Sequence, residues 1–435
     1  MGVFKADTWG GMCPQDTSLT GAGNDIPPQS EDCLNLNIWT AATSSRERRP
    51  VYVFAHGDLQ WSAMSRYDGA ALAREGLVVV TFNHQVGVFG CFAAPQLTAE
   101  SEHSASGNYM LMDAIACLRW VRRNIAAFGG DPDRVALAGQ SAGAAMVFDL
   151  VCSPPAHGLF HRAQADGGVN YPKDPNLTWL APKYLTLDQA EAKGAAVMED
   201  LGVSTTIQLR AVAASELLTH SNDIGEYTLD GYVFPKTYTE TLATGSQIDV
   251  PFLTGNNKDE SRATPGHAVE LATYTANAQS TYGPMAEGFL KLYPAADAAE
   301  AGEQTNESIR DDERVSMFLW GRQWSAHATS PVHNYYWTHT PPGQESQGAS
   351  HGSELNYMFA NLYATDLAWT DTDRKIADTL SDYVVNFAST GNPNDAGLPR
   401  WRALDVADPG VMEIGDSFER IPLAGTEAKL DFFKP

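Results

Sequence analysis

A chain of 435 residues, 43% hydrophobic and 19% charged, has the composition of a soluble globular protein with room for a large core. Its net charge of −24 argues against nucleic acid or anionic membrane as a partner, and would draw cations to a cleft; a solvated acidic surface is the plainer reading. No run approaches the roughly 18 apolar residues of a membrane helix, no N-terminal stretch has the layout of a signal peptide, and five cysteines are too few for a disulfide scaffold.

Residues 1–33 read as irregular. The alternation over 34–39 predicts a strand, and 49–55 a second one with little polarity. A helix is expected over 67–75. The run at 77–82, apolar on both faces, then reads as a buried parallel strand. Leu111, Ile115, Leu118 and Val121 recur at helical steps within 108–128, the clearest helix, which Gly129-Gly130-Asp131-Pro132 ends. Residues 170–245 turn helical and polar, with 190–201 amphipathic. A strand at 250–255, helices to about 328, a strand at 332–339 and a helix at 375–388 precede a Pro/Gly-rich tail. Strand–helix alternation of this kind predicts an α/β fold: a central, mostly parallel sheet with helices on both faces. Without repeats or a linker, the chain reads as a single domain over 1–435, with helical cap insertions at about 170–245 and 262–328.

The chemistry concentrates at Val135-Ala136-Leu137-Ala138-Gly139-Gln140-Ser141-Ala142-Gly143. An apolar run meets Gly-x-Ser-x-Gly and then a helix-favouring segment, the layout of a nucleophile on a sharp strand-to-helix turn. A serine there takes strained backbone angles, so its neighbours two residues away must be nearly side-chain-free, which Gly139 and Gly143 satisfy. The first N–H groups of the following helix point toward the site.

A serine hydroxyl needs a histidine to take its proton, and that histidine needs a carboxylate to fix its tautomer. On this fold both follow the serine in the chain. His157 and His161 lie just past the nucleophile helix, and His220 and His267 in the cap. His333 and His339 fall within a strand pattern. His351 alone follows a strand in a Gly/Ser-rich loop, Gln347-Gly348-Ala349-Ser350-His351-Gly352-Ser353-Glu354. For the acid, Gly255-Asn256-Asn257-Lys258-Asp259-Glu260-Ser261 directly follows a strand, and spacing leaves Asp259 and Glu260 both open.

The chain resembles the type-B carboxylesterases, the group that includes acetylcholinesterase and the bacterial para-nitrobenzyl esterases. The resemblance runs nearly end to end. It rests on Ser30-Glu31-Asp32-Cys33-Leu34-Asn35-Leu36-Asn37-Ile38, on Asn83-His84-Gln85-Val86-Gly87-Val88-Phe89-Gly90, and above all on 120–143 with Phe128-Gly129-Gly130-Asp131-Pro132. Leu229-Asp230-Gly231 and Asn386-Phe387-Ala388-Ser389-Thr390-Gly391-Asn392-Pro393-Asn394 complete it. It implies an α/β-hydrolase fold and hydrolysis of small-molecule carboxylic esters through an acyl-enzyme. It also implies a triad of Ser141, Glu260 and His351, an oxyanion hole from the N–H groups of Asp58, Leu59 and Ala142, a Cys13–Cys33 disulfide, and no metal or organic cofactor. Cys91, Cys117 and Cys152 sit in apolar surroundings and read as buried thiols. A disulfide favours a secreted or extracytoplasmic protein; a monomer or homodimer is expected.

The chain departs from the family pattern in three places. Where the family reads His-Gly-Gly-Gly, this chain has His56-Gly57-Asp58-Leu59-Gln60-Trp61, followed by a short loop to Tyr67-Asp68-Gly69. Glycine permits backbone angles and close approach that Leu59 resists, and an inward Asp58 would oppose a developing oxyanion. The residue before the nucleophile, commonly glutamate, is Gln140. Asp166-Gly167-Gly168 stands where the family usually carries serine, and the chain starts where the family already has an N-terminal hairpin behind it. Because of the altered loop, a second reading is a member redirected to lactonisation or cyclisation of a biosynthetic intermediate; a third is a non-catalytic binding protein. Trp61, Trp179, Phe318 and Trp320 are candidates for pocket lining or for core. The sequons at Asn176 and Asn306 are at chance frequency.

Overall fold

Apolar runs of five to seven residues form strands because their β-branched and aromatic side chains pack on both sides of a pleated sheet. A computed structural model describes residues 5–17, 26–58, 60–167, 171 and 184–434. Two compact units interleave along the chain. The first takes Met1–Gln164 and Pro182–Asp249, the second Ala165–Ala181 and Val250–Pro435.

In the first unit, β1 (Leu36–Thr40), β2 (Arg49–Ala55), β3 (Val78–Phe82) and β4 (Gly130–Gln140) lie in the order β1-β3-β2-β4. β2 runs parallel to β3 and β4, while β1 pairs antiparallel with β3. The helix Tyr109–Asn124 buries Leu111, Ile115, Leu118 and Val121, the expected stripe. Its final turn, Ile125–Phe128, ends at Gly129 with φ +81, a left-handed angle that glycine adopts without penalty. The chain passes to the second unit within β5 (Arg162–Asp166). The region expected to be helical contains helices such as Leu187–Asp200, and also a small parallel pair, β6 (Tyr184–Thr186) with β7 (Tyr227–Leu229). Three-residue strands are too short to show a period in the sequence.

In the second unit, β8 (Phe252–Asn257), β9 (Val332–Trp337), β10 (Val411–Ile414) and β11 (Arg420–Ile421) lie side by side in chain order. The first three are parallel and β11 is antiparallel. The Pro/Gly-rich tail, for which the sequence predicts no element, therefore supplies two strands and the helix Glu427–Phe433. The helix Asp371–Thr390 starts in a capping box between Thr370 and Asp373 and stops at Gly391, φ +83. Among the described residues no helix is long and apolar enough to cross a membrane.

Cys13 and Cys33 form a disulfide; Cys91, Cys117 and Cys152 are free and buried. Of the aromatic pocket candidates, Trp61, Phe318 and Trp320 are core, the last packed on Phe252 and Trp324. Trp179 and the sequon at Asn176 lie outside the described residues. Asn306 is buried, its amide donating to the Thr264 carbonyl, which leaves no place for a glycan.

Candidate active site

The nucleophile turn belongs to the first unit. β4 ends at Gln140 and the helix Ala142–Val151 starts at once, so Ser141 is the only residue between them. Its φ of 61° and ψ of −124° lie in a region that non-glycine residues rarely occupy, and strain of this kind persists only where the surroundings impose it. The neighbours show how. A Cβ on Gly139 would stand 2.3 Å from the Gly143 carbonyl oxygen, and one on Gly143 would stand 2.1 Å from the Ala55 carbonyl oxygen. Both positions are closed to any larger residue. Ala142 opens the helix, so its N–H is among those with no partner inside the helix.

The loop expected to carry oxyanion donors follows β2. Gly57 lies against the turn: a Cβ there would approach the Ser141 Cβ and the Gln140 carbonyl oxygen, each at 3.2 Å. Asp58 is exposed, and Leu59 lies outside the described residues. The His56 and His84 rings stack, centroids 4.2 Å apart. Burial pushes the pKa of both down, His56 further because His84 lies beside it, so the base of the loop stays neutral. The Gly57 N–H donates to Gln60 Oε1 at 3.3 Å.

The second unit holds the remaining candidates. His351 Nδ1–H donates to Glu260 Oε2 at 2.7 Å; the carboxylate is 2% exposed and the ring 34%. The other Glu260 oxygen accepts the Asn257 N–H at 2.7 Å. The two adjacent acids differ in their partners. Asp259 turns the other way, pairs with Arg310, and accepts the Ala349 N–H at 2.8 Å. It holds the histidine loop from below, as does the Asn257 amide, which donates to the Ser350 carbonyl at 2.8 Å. Gly167, at φ +63, would place a Cβ 3.2 Å from His351 Cε1 and 3.3 Å from Glu260 Oε2, which accounts for glycine at this position. Elsewhere, His339 is held by Asp373 and Asp416, each at 2.9 Å, and His220 by Asp223 at 3.1 Å.

Two buried carboxylates beside this pair were not singled out from sequence. Glu313 and Glu354 are both fully buried. Burial raises Glu313 well above the usual range, and the Glu260 charge adds to it. Burial likewise lifts Glu354 to about 7, against the Asn257 amide that donates to it. Glu354 follows His351 by one helical turn, a visible spacing, but nothing in that spacing shows burial. The folded state therefore keeps a proton on Glu354 that the unfolded chain releases above about pH 4.5, so stability falls as pH rises from there to about 7. Glu354→Gln removes the titration. Urea unfolding should show the variant gaining about 3 kcal/mol on wild type between pH 4 and pH 8; equal slopes against pH in the two proteins would refute the assignment.

A strained serine on a strand–helix turn, in a chain of mainly parallel strands and covering helices, defines an α/β-hydrolase. The chain belongs to the Carboxylesterase family, whose sequence profile matches residues 1–433. It is 32% identical over 402 residues to the fumonisin B1 esterase of Sphingopyxis macrogoltabida, covering 87% of this chain and 72% of that one. It is 30% identical over 462 residues to the para-nitrobenzyl esterase of Bacillus subtilis, covering 98% and 88%. A solved PNB esterase superposes with a TM-score of 0.76 at 27% identity, covering 98% of this chain and 88% of that one. The protein is a carboxylic ester hydrolase of the serine type, acting on small-molecule esters. The lactonisation or cyclisation reading is not favoured.

Proposed function

We propose that Ser141, His351 and Glu260 are the residues that carry this hydrolysis. Ser141 Oγ attacks the ester carbonyl while His351 Nε2 takes its proton. The tetrahedral intermediate collapses, the C–O bond to the alcohol breaks, and His351 returns the proton to the leaving oxygen. Water then attacks the acyl-enzyme by the same route and frees the acid. Glu260 holds Nδ1–H and balances the imidazolium. The observation that supports this assignment best is the 2.7 Å bond from His351 to a carboxylate that is 2% exposed. Ala142, Asp58 and Leu59 supply the oxyanion N–H groups in this reading, the first from a helix N-terminus.

Ser141 falls in one compact unit, and Glu260 and His351 in the other. We therefore read 1–435 as one catalytic domain, with the helices in 170–245 and 262–328 as its cap. A monomer or homodimer is the assembly proposed.

An alkyl fluorophosphonate tests the assignment directly. Turnover of p-nitrophenyl butyrate should stop in proportion to one label per chain, and peptide mass spectrometry should place that label on Ser141. A label elsewhere, or full activity after complete labelling, defeats the proposal.

A further inference from the structure

We infer that Gln60 is a positioning residue for the oxyanion loop, anchored through Gln15 to the disulfide-closed N-terminal segment. The inference rests on the esterase reading above and adds a residue to it.

The loop has a geometric difficulty. Oxyanion donors act only when held within tenths of an ångström of the place where charge develops. A run of glycines can adopt the required path and pack close. Here the residues after Gly57 are Asp58 and Leu59, so the path must be held by something else.

Gln60 makes bonds suited to that task in both directions. Its Oε1 accepts the Gly57 N–H at 3.3 Å, tying the end of the loop to its start. The same oxygen accepts the hydroxyl of Tyr67, a residue with no exposure. Its backbone carbonyl accepts the Gln15 side-chain amide at 3.0 Å.

Gln15 is itself fixed. It is 5% exposed, and its N–H donates to Gln29 Oε1 at 2.9 Å. It lies two residues from Cys13, whose disulfide to Cys33 closes the segment. A second strut runs from the same segment. The Asn83 amide donates to the Cys33 carbonyl at 3.1 Å, and its oxygen accepts the Ser62 N–H at 2.8 Å. The loop is therefore held at Gln60 and at Ser62 from one cross-linked base. Buried, mutually bonded side chains of this kind keep a backbone in place only as a set.

The test compares wild type, Gln60→Ala, Gln60→Glu and Gln15→Ala. Glutamate keeps an acceptor oxygen for Gly57 and Tyr67, so it should rescue; alanine removes it. Hydrogen exchange of the Gly57 amide should quicken at least tenfold in Gln60→Ala and return to within about threefold of wild type in Gln60→Glu. With p-nitrophenyl butyrate, kcat should fall about 10- to 100-fold in Gln60→Ala with KM within about twofold, since a misplaced donor weakens the transition state and not the substrate. A trifluoromethyl ketone inhibitor should lose affinity by the same factor. Gln15→Ala should show a smaller loss, and combined with Gln60→Ala should add less than the product of the two. Unchanged exchange at Gly57 in Gln60→Ala overturns the inference whatever the activity. A fall in kcat together with equal loss in the glutamate variant also overturns it. Wild type lacking Ser141-dependent turnover would defeat the esterase reading instead, while the exchange result still decides the role of Gln60.

Discussion

Ser141→Ala is expected to lower kcat for p-nitrophenyl esters by about a millionfold while leaving the melting temperature nearly unchanged. The size follows from the mechanism: without Oγ there is no acyl-enzyme, and only binding and the oxyanion donors remain to help water. The unchanged stability follows from the backbone. Serine and alanine pay a similar steric cost at φ 61°, and the glycines that impose the turn are untouched. Stopped assays at high enzyme concentration, with circular dichroism on the same samples, check both halves. A variant within tenfold of wild type would move the nucleophile elsewhere.

The second large effect is expected from Glu260→Gln, a loss of about ten-thousandfold in kcat. The amide has one acceptor oxygen, and the Asn257 N–H claims it at the place now 2.7 Å from Glu260 Oε1. That turns the NH2 group toward His351 Nδ1. The imidazole must then accept at Nδ1 and carry its proton on Nε2, the tautomer that cannot act as base. Misfolding would give the same loss of activity, and stability separates the two. Glu260 shares its surroundings with Glu313 and Glu354, both fully buried, so removing its charge should leave the melting temperature equal or higher. A lower melting temperature together with the activity loss would point to folding.

How much of this was readable beforehand depended on the range of the contact involved. Gly139 and Gly143 were legible because the spacing rule encodes the sharp turn: Gly139 faces the Gly143 carbonyl within the turn, while Gly143 faces the Ala55 carbonyl of the neighbouring strand. The strands at 49–55 and 77–82 were legible because both faces are apolar. Asp259 and Glu260 were not separable by spacing, since what distinguishes them is Arg310 and the Ala349 N–H, groups far off in the chain. Gly167 carried a signal, an unusual Asp-Gly-Gly, but its reason is His351 close by. The burial of Glu313 and Glu354 had no signal. On a helix or loop a glutamate is read as solvated, and only tertiary packing overrides that. β10 and β11 escaped because four and two residues carry too little pattern to stand against neighbouring Gly and Pro.

The interleaving of the two units has a consequence for synthesis. The first unit draws on residues up to Asp249, and the second is not complete until its last strands and helix have left the ribosome. Ser141 is therefore synthesised before Glu260 and His351, the acid and base proposed for it above. In that reading a nascent chain that has not yet reached His351 carries a nucleophile with no base to deprotonate it, and stays silent toward esters around it. The same order rules out making either half as a continuous fragment, because each unit is stitched from two separate stretches of the message.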